Sequence, residues 1–370
     1  MIRKLFLCLM ILYLSAPSVS AQAKVGTVGA QFLDITPDVR GCGMASAGVA
    51  LTDSYSGYFN PAAAAMIYSE DRFNISLGHT DLPADIDVTN LAFTTKIKNP
   101  EKDSGSSIHL GTGVSIIYLN TGYMTEYTYQ QGPGAGAGQE FMAKDLALKF
   151  TVGAGFNTFV DISAGFTVKY INEDFADESA NGVGFDIGLL FSRDFGPAVF
   201  EDYINENCIW IFKPSFGIAL TNFGPDMTMV QQEYPLPKRW TSGFALELAR
   251  QKKITESCTL KQISIIPAFE IEDMFSDLSA SYCDAGLELG LYEAVYLRAG
   301  VSGSENIEST LGFSLSGRGL SYLLGAGDAK PGSLGYFFRE KIKIAFHYAR
   351  ENWSSDLDIN CNYYGLSIGF

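Results

Sequence analysis

Three charges in the N-terminal part of the chain, Asp38, Arg40 and Asp53, sit in a stretch with almost no side-chain bulk, Phe32 to Ala65, FLDITPDVRGCGMASAGVALTDSYSGYFNPAAAA. Opposite charges in such a setting do one kind of chemistry: mutual pairing in a confined, partly dry space, which is their cheapest state there. Gly41, Gly43 and Gly48, with Ala45, Ala47 and Ala50 between them, let the backbone bend tightly or press against another wall. Asn60 is a good helix N-cap, Pro61 suits the first helical turn and Ala62 to Ala65 propagate it, so a short helix is expected to start at Asn60. Covalent catalysis has no comparable candidate. There is no GxSxG elbow, Gly300-Val301-Ser302-Gly303 being one residue short, and no HExxH. The run QGPGAGAGQ, Gln131 to Gln139, lacks the Gly-Lys-Ser/Thr ending of a phosphate loop and reads as an exposed flexible loop. No enzymatic activity and no cofactor are expected.

Metal is disfavoured as well: His79, His109 and His347 are isolated, and the cysteines form neither CxxC nor a Cys/His zinc spacing. Past the first residues the cysteines are Cys42, Cys208, Cys258, Cys283 and Cys361, an odd number that cannot close completely. Cys208 and Cys258 fall in presumed connections and could bridge in an oxidising compartment; buried free thiols are the alternative. The net charge of −15 excludes a nucleic-acid binder, which needs a basic face. Acidic pairs such as Glu173-Asp174, Asp177-Glu178, Glu201-Asp202 and Glu272-Asp273 are placed in solvent loops, without the spacing of a calcium loop.

The elements that must position these residues are strands. Arg3 and Lys4, the apolar run Leu5 to Leu14 and Ala21-Gln22-Ala23 fit a secretory signal cleaved after Ala23, or after Ala21. Beyond it no apolar run reaches the ~18 to 20 residues of a membrane-spanning helix. From Phe73 onward the period is two: Val160, Ile162, Ala164, Phe166, Val168 and Tyr170 alternate with Asp161, Ser163, Gly165, Thr167 and Lys169. Val183 to Ser192 repeats the pattern with Leu190 as the exception, and Lys341 to Tyr348 repeats it again. Fifteen candidate strands result, several matching the ~9 to 11 residues that cross a bilayer on a tilt. Since single-chain bacterial barrels close with even numbers, fourteen is the expectation, with 261–272 and 318–326 the least secure. Aromatic residues near strand ends, among them Tyr118, Tyr123, Tyr127, Tyr129, Phe156, Phe159, Trp210, Phe212, Trp240 and Phe337, look like interfacial girdles.

The stretch Phe32 to Ala65 resembles the N-terminal signature of the PorV/PorQ family of outer-membrane proteins, within the wider FadL-like group. The matching residues are FLxIxPDxR at Phe32 to Arg40, GxGMxxAGVA at Gly41 to Ala50 and NPA at Asn60 to Ala62. The resemblance implies an all-β fold, a FadL-like antiparallel transmembrane β-barrel of about fourteen strands. It divides the chain into a signal peptide at 1–23, an N-terminal hatch at 24–70 and the barrel at 71–370. Asp38, Arg40, Gly41, Gly43, Asp53, Asn60 and Pro61 become the hatch anchors. A last strand ending on Phe370 looks like the signal read by the barrel assembly machinery. Two functions are implied. One is an accessory component of type IX protein secretion in the outer membrane, receiving cargo that bears a C-terminal sorting domain and working with a secretion translocon. In that role Tyr123, Tyr127 and Tyr129 form a partner-gripping loop. The other is a FadL-like channel for hydrophobic solutes, which inward faces rich in Gly, Ser, Thr, Asp and Lys mildly disfavour. The chain is expected to fractionate with the outer membrane and to migrate heat-modifiably on a gel; recovery in the soluble periplasmic fraction would overturn the barrel.

Overall fold

In a computed structural model, the structure describes residues 28–52, 57–66, 73–98, 107–125, 139–157, 159–196, 208–254, 259–274, 281–303, 309–324, 337, 342–354 and 359–370. Fourteen antiparallel strands close into one barrel, each paired with its neighbours in sequence, and the last returns to the first. They are β1 Phe73–Leu82, β2 Ile86–Lys98, β3 Ser107–Asn120, β4 Ala143–Asn157, β5 Asp161–Phe175, β6 Glu178–Ser192 and β7 Cys208–Phe223. The ring continues with β8 Arg239–Lys253, β9 Thr259–Met274, β10 Ser281–Leu291, β11 Val295–Ser302, β12 Ser309–Ser316, β13 Lys343–Ser354 and β14 Ile359–Gly369. At the seam Phe370 and Phe73 exchange backbone hydrogen bonds of 2.8 and 3.0 Å, so the chain's last residue completes the ladder at what is here called the terminal end.

The alternation is inverted relative to a water-soluble sheet. On β5 the apolar residues Ile162, Phe166, Val168 and Tyr170 are exposed, while Ser163, Thr167 and Lys169 are buried inside the barrel. The same holds round the ring: Leu77, Leu91, Phe150, Leu289, Leu311 and Phe346 all face outward. Such an apolar outer surface is stable only against hydrocarbon, which marks the barrel as membrane-spanning, since period-two patterning by itself would also suit a soluble sheet with one wet face. Among the described residues no helix is long and apolar enough to cross a membrane.

Of the doubtful strands, 261–272 lies within the full-length β9, whereas 318–324, the described part of 318–326, is not a strand. Gly317–Leu323 forms a short helix, and the fifteenth candidate drops out. Leu320, Leu323 and Leu324 follow helical spacing. Arg318 is held by the Thr259 carbonyl at 2.8 Å and by Glu293 at 3.1 Å. Two acidic pairs placed in loops, Glu173-Asp174 and Glu272-Asp273, belong instead to the ends of β5 and β9.

The N-terminal segment runs inside the barrel. It starts against the end opposite the termini, where the Gly29 amide donates to the Pro235 carbonyl at 3.0 Å and the Ala30 amide donates to Glu173 at 2.8 Å. A single helical turn, α1 Val39–Cys42, follows, and a 3-10 turn, Pro61–Ala65, lies further along the segment. The segment's own glycines grip an aromatic ring: a Cβ on Gly41 or on Gly48 would lie 2.3 Å from the Phe59 ring. Ala45 and Ser46 hold left-handed backbone at φ 51° and 61° without glycine.

The wall answers with small residues of its own. A Cβ on Gly165 would sit 2.1 Å from the Pro61 carbonyl carbon, one on Gly217 2.1 Å from the Val49 oxygen, and one on Gly300 2.5 Å from the Ala45 nitrogen. Leu190, the exception to the alternation of β6, is fully buried against Ala62, Ala63 and Met66. The Gly165→Ala variant is therefore expected to displace the Pro61–Ala65 turn and to cost about 1 to 3 kcal/mol, the usual scale of overpacking. Gly184→Ala on neighbouring β6, whose nearest atoms would lie 3.5 Å away, is expected to be neutral. Urea unfolding of the two variants in detergent checks this, and equal midpoints would refute it.

Candidate functional site

Asp38 caps α1, its Oδ2 accepting the Gly41 amide at 2.9 Å, and the cap fixes the turn that carries Arg40. The Arg40 guanidinium reaches the wall, not its neighbours. Its Nε and Nη2 donate to Glu288 Oε2 and Oε1 on β10, both at 2.8 Å, a bidentate pair in the geometry that guanidinium and carboxylate prefer. Glu288 stands opposite Arg298 of β11 in the ladder and accepts its Nε at 2.6 Å. Arg298 Nη1 donates to Ser314 Oγ of β12 at 2.5 Å, Ser314 meets His347 Nδ1 of β13 at 2.7 Å, and His347 Nε2 meets Ser367 Oγ of β14 at 2.8 Å. One hydrogen-bonded chain thus crosses five consecutive strands, with Arg40 plugged into it.

The expected mutual pairing of Asp38, Arg40 and Asp53 is corrected by this geometry. Asp38 is used by backbone, and Arg40 pairs with a strand carboxylate 248 positions away. Asp53 lies outside the described residues. A fourth charge in the stretch, Asp34, faces Arg239 at 3.9 Å, which in turn holds Glu272 at 3.1 Å. Burial pushes the Asp34 carboxyl up to about 7 against the opposing pull of Arg239. Burial also raises Asp38, opposed first by the bond from Gly41.

The remaining N-terminal residues singled out from the sequence sit as follows. Asn60 Oδ1 accepts the Ala62 amide at 3.0 Å, and its Nδ2 donates to Val49 O at 2.9 Å and to Leu189 O of β6 at 3.0 Å. It therefore caps the Pro61–Ala65 turn and ties it both to the segment and to the wall. Gly43 lies against Gly312, where a Cβ would be 3.3 Å from the Gly312 Cα. The wall supplies further partners: Glu270 and Thr310 accept the Val49 and Ala45 amides at 2.9 and 3.0 Å, and Ser215 donates to the Ala50 carbonyl at 2.6 Å.

Tyr123 is 74% exposed beyond the barrel rim, next to a small ribbon of Met124–Thr125 and Glu140–Phe141; Tyr127 and Tyr129 lie outside the described residues. Cys42, Cys208, Cys283 and Cys361 are free thiols, Cys208 being the first residue of β7, and Cys258 lies outside the described residues. Sequence reasoning did not find Glu288, Arg298 or Glu270, and it placed Lys169 on the polar face of its strand without assigning it a partner. The signal was there: each is a charge on the inward parity of a strand whose other face meets lipid.

Below the segment, toward the terminal end, the bore widens into a cavity of about 480 Å³. Its described cations are Arg40, Lys213, Lys261, Arg298, Arg318 and Lys343. Glu247, Glu288 and Glu293 are its described carboxylates, and Leu51, Met66 and Ile266 give it an apolar patch.

Strand pairing, outer surface and occupied bore together define a closed fourteen-stranded transmembrane β-barrel with its own N-terminal segment inside. Among solved structures the fold is similar to the toluene transporter TbuX of Ralstonia pickettii, at TM-score 0.49 and 11% identity over 90% of this chain and 97% of that one. It is also similar to a Pseudomonas aeruginosa FadL homologue, at 0.44 and 10% over 95% and 99%, and to the Pseudomonas putida toluene transporter TodX, at 0.43 and 8% over 95% and 98%. No protein-family model and no curated protein matches the sequence.

Arg40→Met is expected to cost about 2 kcal/mol, the worth of hydrogen bonds to a charged group, since Glu288 keeps Arg298. Glu288→Gln strands two buried guanidinium groups and should cost more, about 3 to 5 kcal/mol. A double-mutant cycle read by urea unfolding tests the pair; additive losses would dismiss the contact as an anchor.

Proposed function

We propose that the protein is an outer-membrane channel closed by its N-terminal segment, that Arg40, Asn60 and their wall partners are the anchors of this hatch, and that its solutes are hydrophobic molecules carrying an anionic end. The terminal end is taken as periplasmic. The observation that carries the reading is the cavity below the segment: an apolar patch beside six Lys/Arg against three Glu among its described lining residues. Among the described residues three more cations than carboxylates line the cavity, so a carboxylate end meets a favourable field there that an uncharged solute does not, while its tail covers Leu51, Met66 and Ile266.

A second reading, an accessory barrel of type IX secretion in the PorV/PorQ manner, draws support from Tyr123, which offers exposed aromatic area on the ribbon beyond the rim. In it the loops bind cargo and translocon, and the bore has no traffic.

Binding of a fluorescent long-chain carboxylate to the purified barrel, against the uncharged alcohol of the same length, tests the first reading. Saturable binding of the carboxylate is expected, weakened roughly tenfold, equivalent to ~1.4 kcal/mol, in a Lys213→Met, Lys343→Met double variant. Equal affinity for acid and alcohol, or no saturable binding, would overturn it. Co-purification of secreted proteins from native membranes, lost in Tyr123→Ala, would favour the second.

A further inference from the structure

The first hairpin carries a group of ligand-bearing side chains on its outer face. The turn Pro83–Asp85 joins β1 to β2 in a register that sets His79 opposite Thr89 and Asp81 opposite Asp87. Side chains two residues apart on a strand share a face, so these four form a square across the two strands. His79 is isolated along the chain but not across this ladder. Its Nε2 lies 2.9 Å from Asp81 Oδ1 and 3.8 Å from Asp87 Oδ1, and one ligand atom from each of the three residues lies within 4.8 Å of the others.

The square sits past the lipid-facing surface. Two residues back along each strand, Leu77 and Leu91 pair and both are exposed. The rung of His79 and Thr89 continues on either side into Tyr364 of β14 and Tyr118 of β3, exposed aromatic residues of the kind found at a membrane interface. The rung of Asp81 and Asp87, which continues into Asn362 and Asn120, is wholly polar. The side chains of His79, Asp81 and Asp87 are 46, 48 and 52% exposed, so ions in solution reach them.

Two carboxylates directly opposite each other in a ladder repel. Among the described residues no lysine or arginine pairs with either aspartate, and the imidazole of His79 is the one basic group that reaches them. His79 Nδ1 meets Thr89 Oγ1 at 3.2 Å, which turns the ring so that Nε2 faces the carboxylates. A hydrogen bond at one ring nitrogen that aims the other is the usual support of a metal-bound histidine. Bonds of about 2.0 to 2.1 Å to a tetrahedral ion place its ligand atoms roughly 3.3 Å apart, between the two separations at His79. An imidazole with two carboxylates suits Zn²⁺ and similar borderline ions, whereas Ca²⁺ and Mg²⁺ favour shells made of oxygen alone.

We propose that His79 Nε2 and one oxygen each of Asp81 and Asp87 bind a single divalent transition ion of the Zn²⁺ type, on the outer face of the β1–β2 hairpin at the end opposite the termini. Three protein ligands leave a fourth position, facing outward, for water or an external anion. The ion cross-links β2 to β1, the strand that closes the barrel against β14. Because the ligands meet only in the paired hairpin, the ion stabilises that pairing by mass action. The inference does not depend on which solute the channel carries.

Calorimetric titration of ZnCl₂ into the chelator-treated barrel in detergent, near neutral pH, should show one saturable site with a Kd on the order of 10 μM. His79→Ala and Asp81→Asn should each weaken it by about tenfold or more, while His109→Ala, at the terminal end, should leave it unchanged. Binding weaker than millimolar, binding undiminished in His79→Ala, or displacement by an equal concentration of Ca²⁺ would each overturn the proposal. Where a variant fails to fold, crystals of the unaltered chain soaked in ZnCl₂ decide the matter by diffraction across the zinc edge. An anomalous peak about 2.0 to 2.2 Å from His79 Nε2 is expected, and its absence there refutes the site.

Discussion

The rest of the structure depends on backbone pressed against backbone inside a barrel. Fourteen strands enclose more space than wall side chains can fill, so something else must occupy the bore. Here a main chain does, approaching the wall so closely that a Cβ at several positions would overlap it. This forces a ring of small residues at one level of the wall, and the ladder shows it as nearly continuous. Gly111, Gly153, Gly165 and Gly188 are successive register partners across β3 to β6. Ala245, Ala268, Gly286 and Gly300 are successive partners across β8 to β11. With no room for water at that contact, the amides of the segment need protein acceptors, and the wall places Glu173, Glu270 and Thr310 there. The polar inner face is thus a consequence of the close approach.

Charge inside the bore is arranged to limit the cost of removing it from water. Glu288 lies between two guanidinium groups, one from the segment and one from the wall, and the wall guanidinium is solvated further by Ser314, which meets His347 and through it Ser367. Arg239 likewise stands between Asp34 and Glu272. In both clusters one partner comes from residues 28–66 and two from strands. A buried ion pair by itself adds little net stability, but loss of one partner is expensive, so such clusters act mainly to set where the segment sits.

Much of this was legible before the fold. Strand alternation gave fourteen of the fifteen candidate segments, because lipid outside and polar groups inside impose a strict period of two. The exception, 318–326, carries Leu320, Leu323 and Leu324 at helical rather than alternating spacing, and its described residues belong to the short helix Gly317–Leu323 and its cap. Asn60-Pro61 was readable because capping is local chemistry. Arg40 was readable as a charge in need of a partner, but not which partner: Glu288 is 248 positions away, and no local rule carries register across nine intervening strands. The wall glycines were visible as composition, yet their purpose was not, since each is needed only by a backbone atom distant in sequence.

The segment is not held evenly along its length. Phe32, Leu33, Val39 and Cys42 join a core with Met227, Leu236, Ile171 and Tyr363 at the end opposite the termini, where large side chains bury substantial apolar area. From Gly43 onward the packing partners are mostly alanine, with Met44, Val49, Leu51 and Met66 of the segment and Leu190 and Ile266 of the wall the larger members. There the polar contacts dominate, each worth only about 0.5 to 1.5 kcal/mol net because water could replace it. Several wall charges keep a partner without the segment: Glu288 keeps Arg298, Glu272 keeps Arg239 and Asp186 keeps Lys169. Were water to enter the bore, the half after Gly43 would give up its contacts at modest cost and leave those wall carboxylates paired. The half before it would have to expose a hydrophobic core. A segment held this way yields first at the terminal end, beside the cavity of about 480 Å³, while the part near Phe32 stays fastened at the other.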